Sequence, residues 1–189
     1  GLADVNLGAG HPAITTTVKS LIAGNATNAL TGATIIATGA VTLGTKVVSD
    51  TVIDAGGALT LSSGVAGSSV TSSTINSGGD ISIAALTIGG GLNTVVCDGG
   101  SGSITFGATS TGGALTATAS GSTIIASSLA NIAGGATDLT GTSVDLTGLV
   151  SNTGGLTVRT ATSLNLPAMV SSAGTITGPA VVTFSAPLL

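Results

Sequence analysis

Short runs in which apolar and polar residues alternate dominate the chain, among them Ala58-Leu59-Thr60-Leu61, Asp80-Ile81-Ser82-Ile83, Ser103-Ile104-Thr105-Phe106 and Leu156-Thr157-Val158. A period of two puts the apolar side chains on one face of an extended strand. The runs are rich in Thr, Ser, Val and Ile and are punctuated by Gly-Gly pairs, so strand and turn are favoured over helix. Strands are expected at about 44–47, 58–61, 80–83, 103–106, 114–118, 155–158 and 174–177.

The punctuation is repetitive. An Asn/Asp/Ser-x-Gly-Gly turn followed by a short alternating strand begins at Asp54 (DAGGALTL), Asn76 (NSGGDISI), Ser110 (STGGALTA) and Asn152 (NTGGLTV). Less perfect copies begin at Asp98 (DGGSGSITF), Asn131 (NIAGGATDL) and Ser172 (SAGTIT). Taken in chain order, the starts advance by 22, 22, 12, 21, 21 and 20, which is a period of 20 to 22 with one phase slip. Val144-Asp145-Leu146, Leu164-Asn165-Leu166 and Val182-Thr183-Phe184 repeat in the same phase, so each unit holds at least two strands.

A unit of that length cannot bury its own apolar face, whereas stacked units share one core and pair every backbone group with the coils on either side. The fold class read from the sequence is therefore all-β: a single-chain β-solenoid over 1–189, with a less regular part at 1–40 and an oversized coil or outward loop within 98–131 to absorb the slip. Strands about 4.8 Å apart would give roughly nine coils and a rod on the order of 40 Å long.

Composition restricts what such a rod can do. Of 189 residues 31 are Gly, 5% are charged and 1% are aromatic, so the outward positions must be filled mostly by Thr, Ser, Asn and Gly. Lys19, Lys46 and Arg159 against seven acidic residues give a net charge of -4, which offers no electrostatic footprint for nucleic acid or an anionic membrane. Gly, Ser, Thr or Asn breaks every apolar stretch before the roughly 18 residues of a membrane-spanning helix. No charged segment followed by an apolar one opens the chain, so any signal peptide is expected to have been removed or never present.

Chemistry has few footholds. His11 stands beside Pro12 without a Cys or Glu at a metal-ligand spacing, and no Gly-x-Ser-x-Gly elbow accompanies the many serines. Gly99-Gly100-Ser101-Gly102-Ser103 approaches a calcium-binding nonapeptide, but Ile104 takes the place of the ligand Asp. Asp54, Asp80 and Asp98 could meet on successive coils as a hydrolytic carboxylate cluster, yet their spacings of 26 and 18 miss the coil length and sugar-binding basic and aromatic residues are scarce. Turn capping is the expected role of these three and of Asp138 and Asp145. Cys97 ends an apolar run and is expected to be a buried small hydrophobe, the alternative being an intermolecular disulfide. No catalytic residue, metal ligand or cofactor site is assigned. Thr-x-Thr triplets at 109/111, 116/118, 140/142, 160/162 and 175/177 raise ice binding, but their distances from the preceding glycine differ, so they should not share a face. Asn25-Ala26-Thr27 is a glycosylation sequon.

NSGGDISI, NTGGLTV and DAGGALTL resemble the degenerate units of filamentous-haemagglutinin and autotransporter-type passengers over roughly residues 40 to 189. That resemblance implies a right-handed β-helix displayed at a bacterial surface for adhesion or as a fibre, and it transfers no catalytic residue. SLNLPAMVSSAGTITG has a leucine-rich-repeat rhythm but lacks that family's Asn ladder and helix-forming segment.

The expected function is non-enzymatic: a subunit of a self-assembling extracellular or cell-surface fibre or sheath, with adhesin or receptor-binding passenger or spike fragment as the alternative, and ice binding or polysaccharide degradation more remote. The expected partner is the protein itself, end to end and side by side, with cell-surface glycans or receptors beyond it and neither nucleic acid nor membrane insertion. Apolar residues over 182–189, where a polar cap would stand, imply that a continuation or another copy covers that end.

Overall fold

The computed structural model describes residues 15–18, 21–23, 29–44, 46–61, 67–85, 87–160 and 163–184. The described residues contain strands and turns without helix, and every strand pairing is parallel. They form a β-solenoid. Each coil supplies one strand to each of three sheets, as in Val52–Ala55, Leu59–Leu61 and Ser69–Thr71. The first sheet has nine strands, the second seven and the third eight, so seven coils contribute to all three ladders. Past them, Leu164–Leu166 and Val182–Phe184 pair as a two-stranded continuation.

Register fixes the coil length. In the first sheet Thr34 lies opposite Val52, Val52 opposite Thr74 and Thr74 opposite Thr94, so one coil closes at each of these positions. The inward positions form continuous columns. Ile35, Ile53, Ile75, Val95, Ala117, Leu139 and Val158 stack in register through the first sheet, none more than 2% exposed. At the ~25 cal/mol per Å² typical of apolar burial, such columns supply the main drive for stacking one coil on the next.

Two expectations need correction. Of the segment expected as a strand at 44–47 only Val47 is in one: the strands are Val41–Leu43, which ends before the segment, and Val47–Ser49, which begins at its last residue. Nor is there an oversized coil or outward loop between 98 and 131. In that stretch Thr94 pairs with Thr116 and Thr116 with Asp138, Ile104 pairs with Ile124, and Ser110 pairs with Asn131, so each sheet advances by one ordinary coil. What shifts is the corner that carries the glycines. Gly56, Gly78 and Gly99 stack where the first sheet turns into the second, whereas Gly112, Gly134, Gly154 and Gly174 stack where the third sheet returns to the first. Asp98 and Ser110 therefore stand near different corners of one coil, and the short interval between them is the way from one corner to the other.

The return corner also has a fixed backbone handedness. Gly32, Asp50, Ser72 and Gly91 occupy it in four successive coils with φ of 66°, 50°, 48° and 79°. Just inside it runs a buried polar seam. The Thr51 N–H donates to Ser73 Oγ at 3.3 Å, the Ser73 N–H donates to Asn93 Oδ1 at 3.4 Å, and Asn93 Nδ2 donates to the carbonyls of Gly89 and Ala114 at 3.1 and 3.3 Å. These bonds satisfy groups that would be costly to bury alone. Asn152, buried separately in the third sheet, donates its Nδ2 to Ser172 Oγ and the Thr175 carbonyl, but its buried Oδ1 has no partner.

Candidate functional surface

Strand alternation that sends aliphatic side chains inward sends hydroxyls outward. Among the described side chains one outward register position of the first sheet is Thr in six coils, at Thr34, Thr74, Thr94, Thr116, Thr157 and Thr177, with Val52 and Asp138 interposed. This column was not legible as Thr-x-Thr, because its members are one coil apart. The triplets themselves scatter: Thr116 and Thr118 face outward on the first sheet, whereas Thr111 is fully buried in the third. The second sheet presents Thr42, Thr60, Ser82 and Thr105 in register, and the third Ser69, Thr87, Ser110 and Asn131. Hydroxyls link neighbouring coils, as between Thr123 and Ser143 at 2.9 Å and from Ser151 to Asn131 Oδ1 at 2.7 Å.

The acidic residues are spread over this surface. Asp54 lies within a first-sheet strand opposite Asn76, not in a turn, and Asp80 and Asp98 lie at or beyond the following corner. They do not converge, and among the described residues no three His, Cys, Asp or Glu side chains are placed to hold a metal ion. Asp80 Oδ1 accepts the Ser103 N–H at 2.7 Å and its hydroxyl at 3.0 Å, and these two bonds hold the carboxyl below its ordinary pKa. Asp145 caps its own turn, accepting the Thr147 N–H at 3.0 Å and its hydroxyl at 2.8 Å. Asp138 departs from the capping expectation: it lies in the first-sheet strand Thr137–Thr140 and pairs with Arg159 of the next coil, whose guanidinium pKa is raised by that hydrogen bond and by the carboxylate's charge.

Cys97 is a free, buried thiol opposite Ser77, and its Sγ lies 3.0 Å from the Gly79 carbonyl. Burial raises its pKa, and the charges of Asp80 and Asp98 add to the effect. His11, the sequon at Asn25 and the terminal Pro187-Leu188-Leu189 lie outside the described residues. Among the described residues no helix is long and apolar enough to cross a membrane.

Comparison with protein-family models, curated proteins and solved structures returns no match. The solenoid therefore rests on its own register and burial.

The last coil differs from those before it. Ile176, Val182 and Phe184 occupy core-facing positions but are only half-buried, while their partners one coil earlier, Leu156, Leu164 and Leu166, are 1%, 0% and 0% exposed. Val181 and Val170 beside them are more than half exposed.

Proposed function

We propose that this protein is a non-enzymatic structural subunit of an extracellular or cell-surface fibre or sheath, of the kind that filamentous-haemagglutinin and autotransporter-type passengers provide. The uninterrupted stack of parallel coils carries this reading, because three continuous ladders around one shared core make a stiff rod. Hydroxyl-clad faces add support: with so few charges, little long-range repulsion separates neighbouring rods. On this reading the partner is another copy of the chain, and neither nucleic acid nor membrane insertion is involved. An adhesive role toward cell-surface glycans or receptors is the second reading, favoured by the flat outer face of the first sheet with its Thr column and its 62%-exposed Leu92.

Electron microscopy and sedimentation of the purified chain test the proposal. Unbranched filaments or sheets that lengthen with concentration are expected. A monomer that persists at high concentration and binds a cell surface would transfer the role to adhesion.

A further inference from the structure

Charge is sorted among the three faces of the rod. The first sheet holds Asp54, Asp138 and Arg159 within its strands, the second holds Asp145, and Asp80 and Asp98 stand at the corner between these two sheets. None of the eight third-sheet strands contains a charged residue. Lys46 and Asp50 flank the strand Val47–Ser49, so the uncharged face opens one coil later, where its outward ladder runs Ser69, Thr87, Ser110, Asn131, Ser151 and Ser171. The face has relief as well. On the side where the chain arrives from the second sheet, Val150 and Val170 stack through the bond from the Val170 N–H to the Val150 carbonyl, and they are 36% and 51% exposed. On the side of the return corner stand Gly112, Ala133 and Ala173, small and exposed.

We propose that two copies lie side by side through their third sheets, pointing the same way, about a two-fold axis parallel to the rod. This rests on the fibre reading and names the face by which its rods associate. Pairing either of the other faces with itself would bring Asp54 or Asp145 toward its own counterpart, and like charges set face to face are disfavoured. On the third sheet no charge is opposed or stripped of water. The axis exchanges the two sides of the face, so at each coil the raised side of one copy meets the low side of the other. Val170 then meets Ala173, Thr109 meets Gly112 and Ala130 meets Ala133, each with a small residue on the receiving side. Val150 meets Thr153, whose hydroxyl donates to the carbonyls of Ile132 and Ala133 at 3.1 and 3.0 Å and whose methyl is left for the valine. An antiparallel pair would instead set one valine ridge on the other and leave the small residues uncovered. Six coils about 4.8 Å apart and a face about five residues wide at about 3.3 Å each give roughly 950 Å² over both copies. That is under the roughly 1,200 Å² at which stable pairs begin, so one contact is weak and gains strength by repetition along a filament.

The test uses the full chain in a Cys97→Ala background. Asn131→Cys and Ser171→Cys, in separate preparations, each set one thiol on the exposed ladder. Sheets packed face to face lie about 10 Å apart, so a bis-maleimide of about that reach should link each variant to itself at least about tenfold more efficiently than it links Thr60→Cys, on the second sheet. A link that forms only when the Asn131→Cys and Ser171→Cys preparations are mixed reports an antiparallel pair and overturns the proposal. Sedimentation is the second readout: Ser171→Lys sets like charges near each other across the axis and should weaken lateral association at least about tenfold, whereas Thr60→Lys should not, with the circular dichroism of both unchanged. Equal association of the two lysine variants overturns the third-sheet contact, and single-rod filaments seen by electron microscopy then leave the fibre reading standing. A monomer that gives neither cross-link nor filament overturns both.

Discussion

Gly78 sits against Gly56 of the preceding coil so closely that a Cβ on Gly78 would lie 2.6 Å from the Gly56 carbonyl oxygen. Backbone, not a flexible side chain, is the obstacle, so the coil itself would have to shift. Gly78→Ala is expected to cost about 1–3 kcal/mol, the range for overpacking. Gly112→Ala, with nothing within 4 Å of the added carbon, is expected to be close to neutral. Thermal unfolding followed by circular dichroism distinguishes the two.

The left-handed corner gives a prediction of the opposite sign. Ser72 holds φ 48° in a column whose outer members are Gly32 and Gly91. A non-glycine residue there carries about 1 kcal/mol of strain. Ser72→Gly should therefore raise the melting temperature by roughly 2–4 °C, losing only a long 3.4 Å bond to the Gly90 carbonyl. Gly32→Ala should lower stability by a similar amount through φ alone, since the space beside Gly32 is open.

The two buried asparagines should respond unequally. Asn93→Ala takes its side-chain partner from the Ser73 N–H and one hydrogen bond each from the carbonyls of Gly89 and Ala114, at a cost of about 1–3 kcal/mol for a buried group left unpaired. Asn152→Ala should cost less. It removes a carbonyl oxygen that already lacks a partner, and Ser172 Oγ keeps its bond to the Gly174 carbonyl. Denaturant titration of both variants measures the difference.

Asp80 makes stability pH-dependent in one direction. Its folded pKa is lowered, so its contribution is present above the unfolded value of about 3.9 and is lost as pH falls through the folded value. The difference in melting temperature between wild type and Asp80→Asn should be constant near neutrality and shrink at the acid end. A difference that grew on acidification would contradict the Ser103 bonds.

Cys97 should be inert to a thiol reagent in the native rod and react only as its coil opens. Burial both raises its pKa and blocks access to the sulfur. Labelling that rises with denaturant in step with unfolding is the expected result. Fast stoichiometric labelling in buffer would place the sulfur at the surface.

The sequence revealed the second sheet well and the third poorly. Leu59–Leu61, Ile81–Ile83 and Ile104–Phe106 each show buried–outward–buried alternation, enough to register as a pattern. Thr87–Ile88, Ser110–Thr111 and Asn131–Ile132 are dipeptides, too short to show a period. The apparent phase slip had another cause, since the same Gly-Gly signal serves two corners and its sequence does not say which. Surface partners were hidden for a related reason. Asp138 and Arg159 meet because Thr140 pairs with Arg159 one coil on, and the length of that coil is known only once the register is. Cys97 was read correctly as buried, because an apolar run precedes it.

The register has a consequence for how the chain acquires its shape. Even the widest steps among the described strands, Ile81 to Ile104 and Thr87 to Ser110, reach no farther than the next coil. Each new coil therefore finds its template in the stretch laid down just before it, and loop closure costs nearly the same at every step. Folding can follow synthesis vectorially, one rung at a time, without waiting for a distant partner. Each coil, once laid down, then offers the strand edges and the apolar columns on which the next one forms.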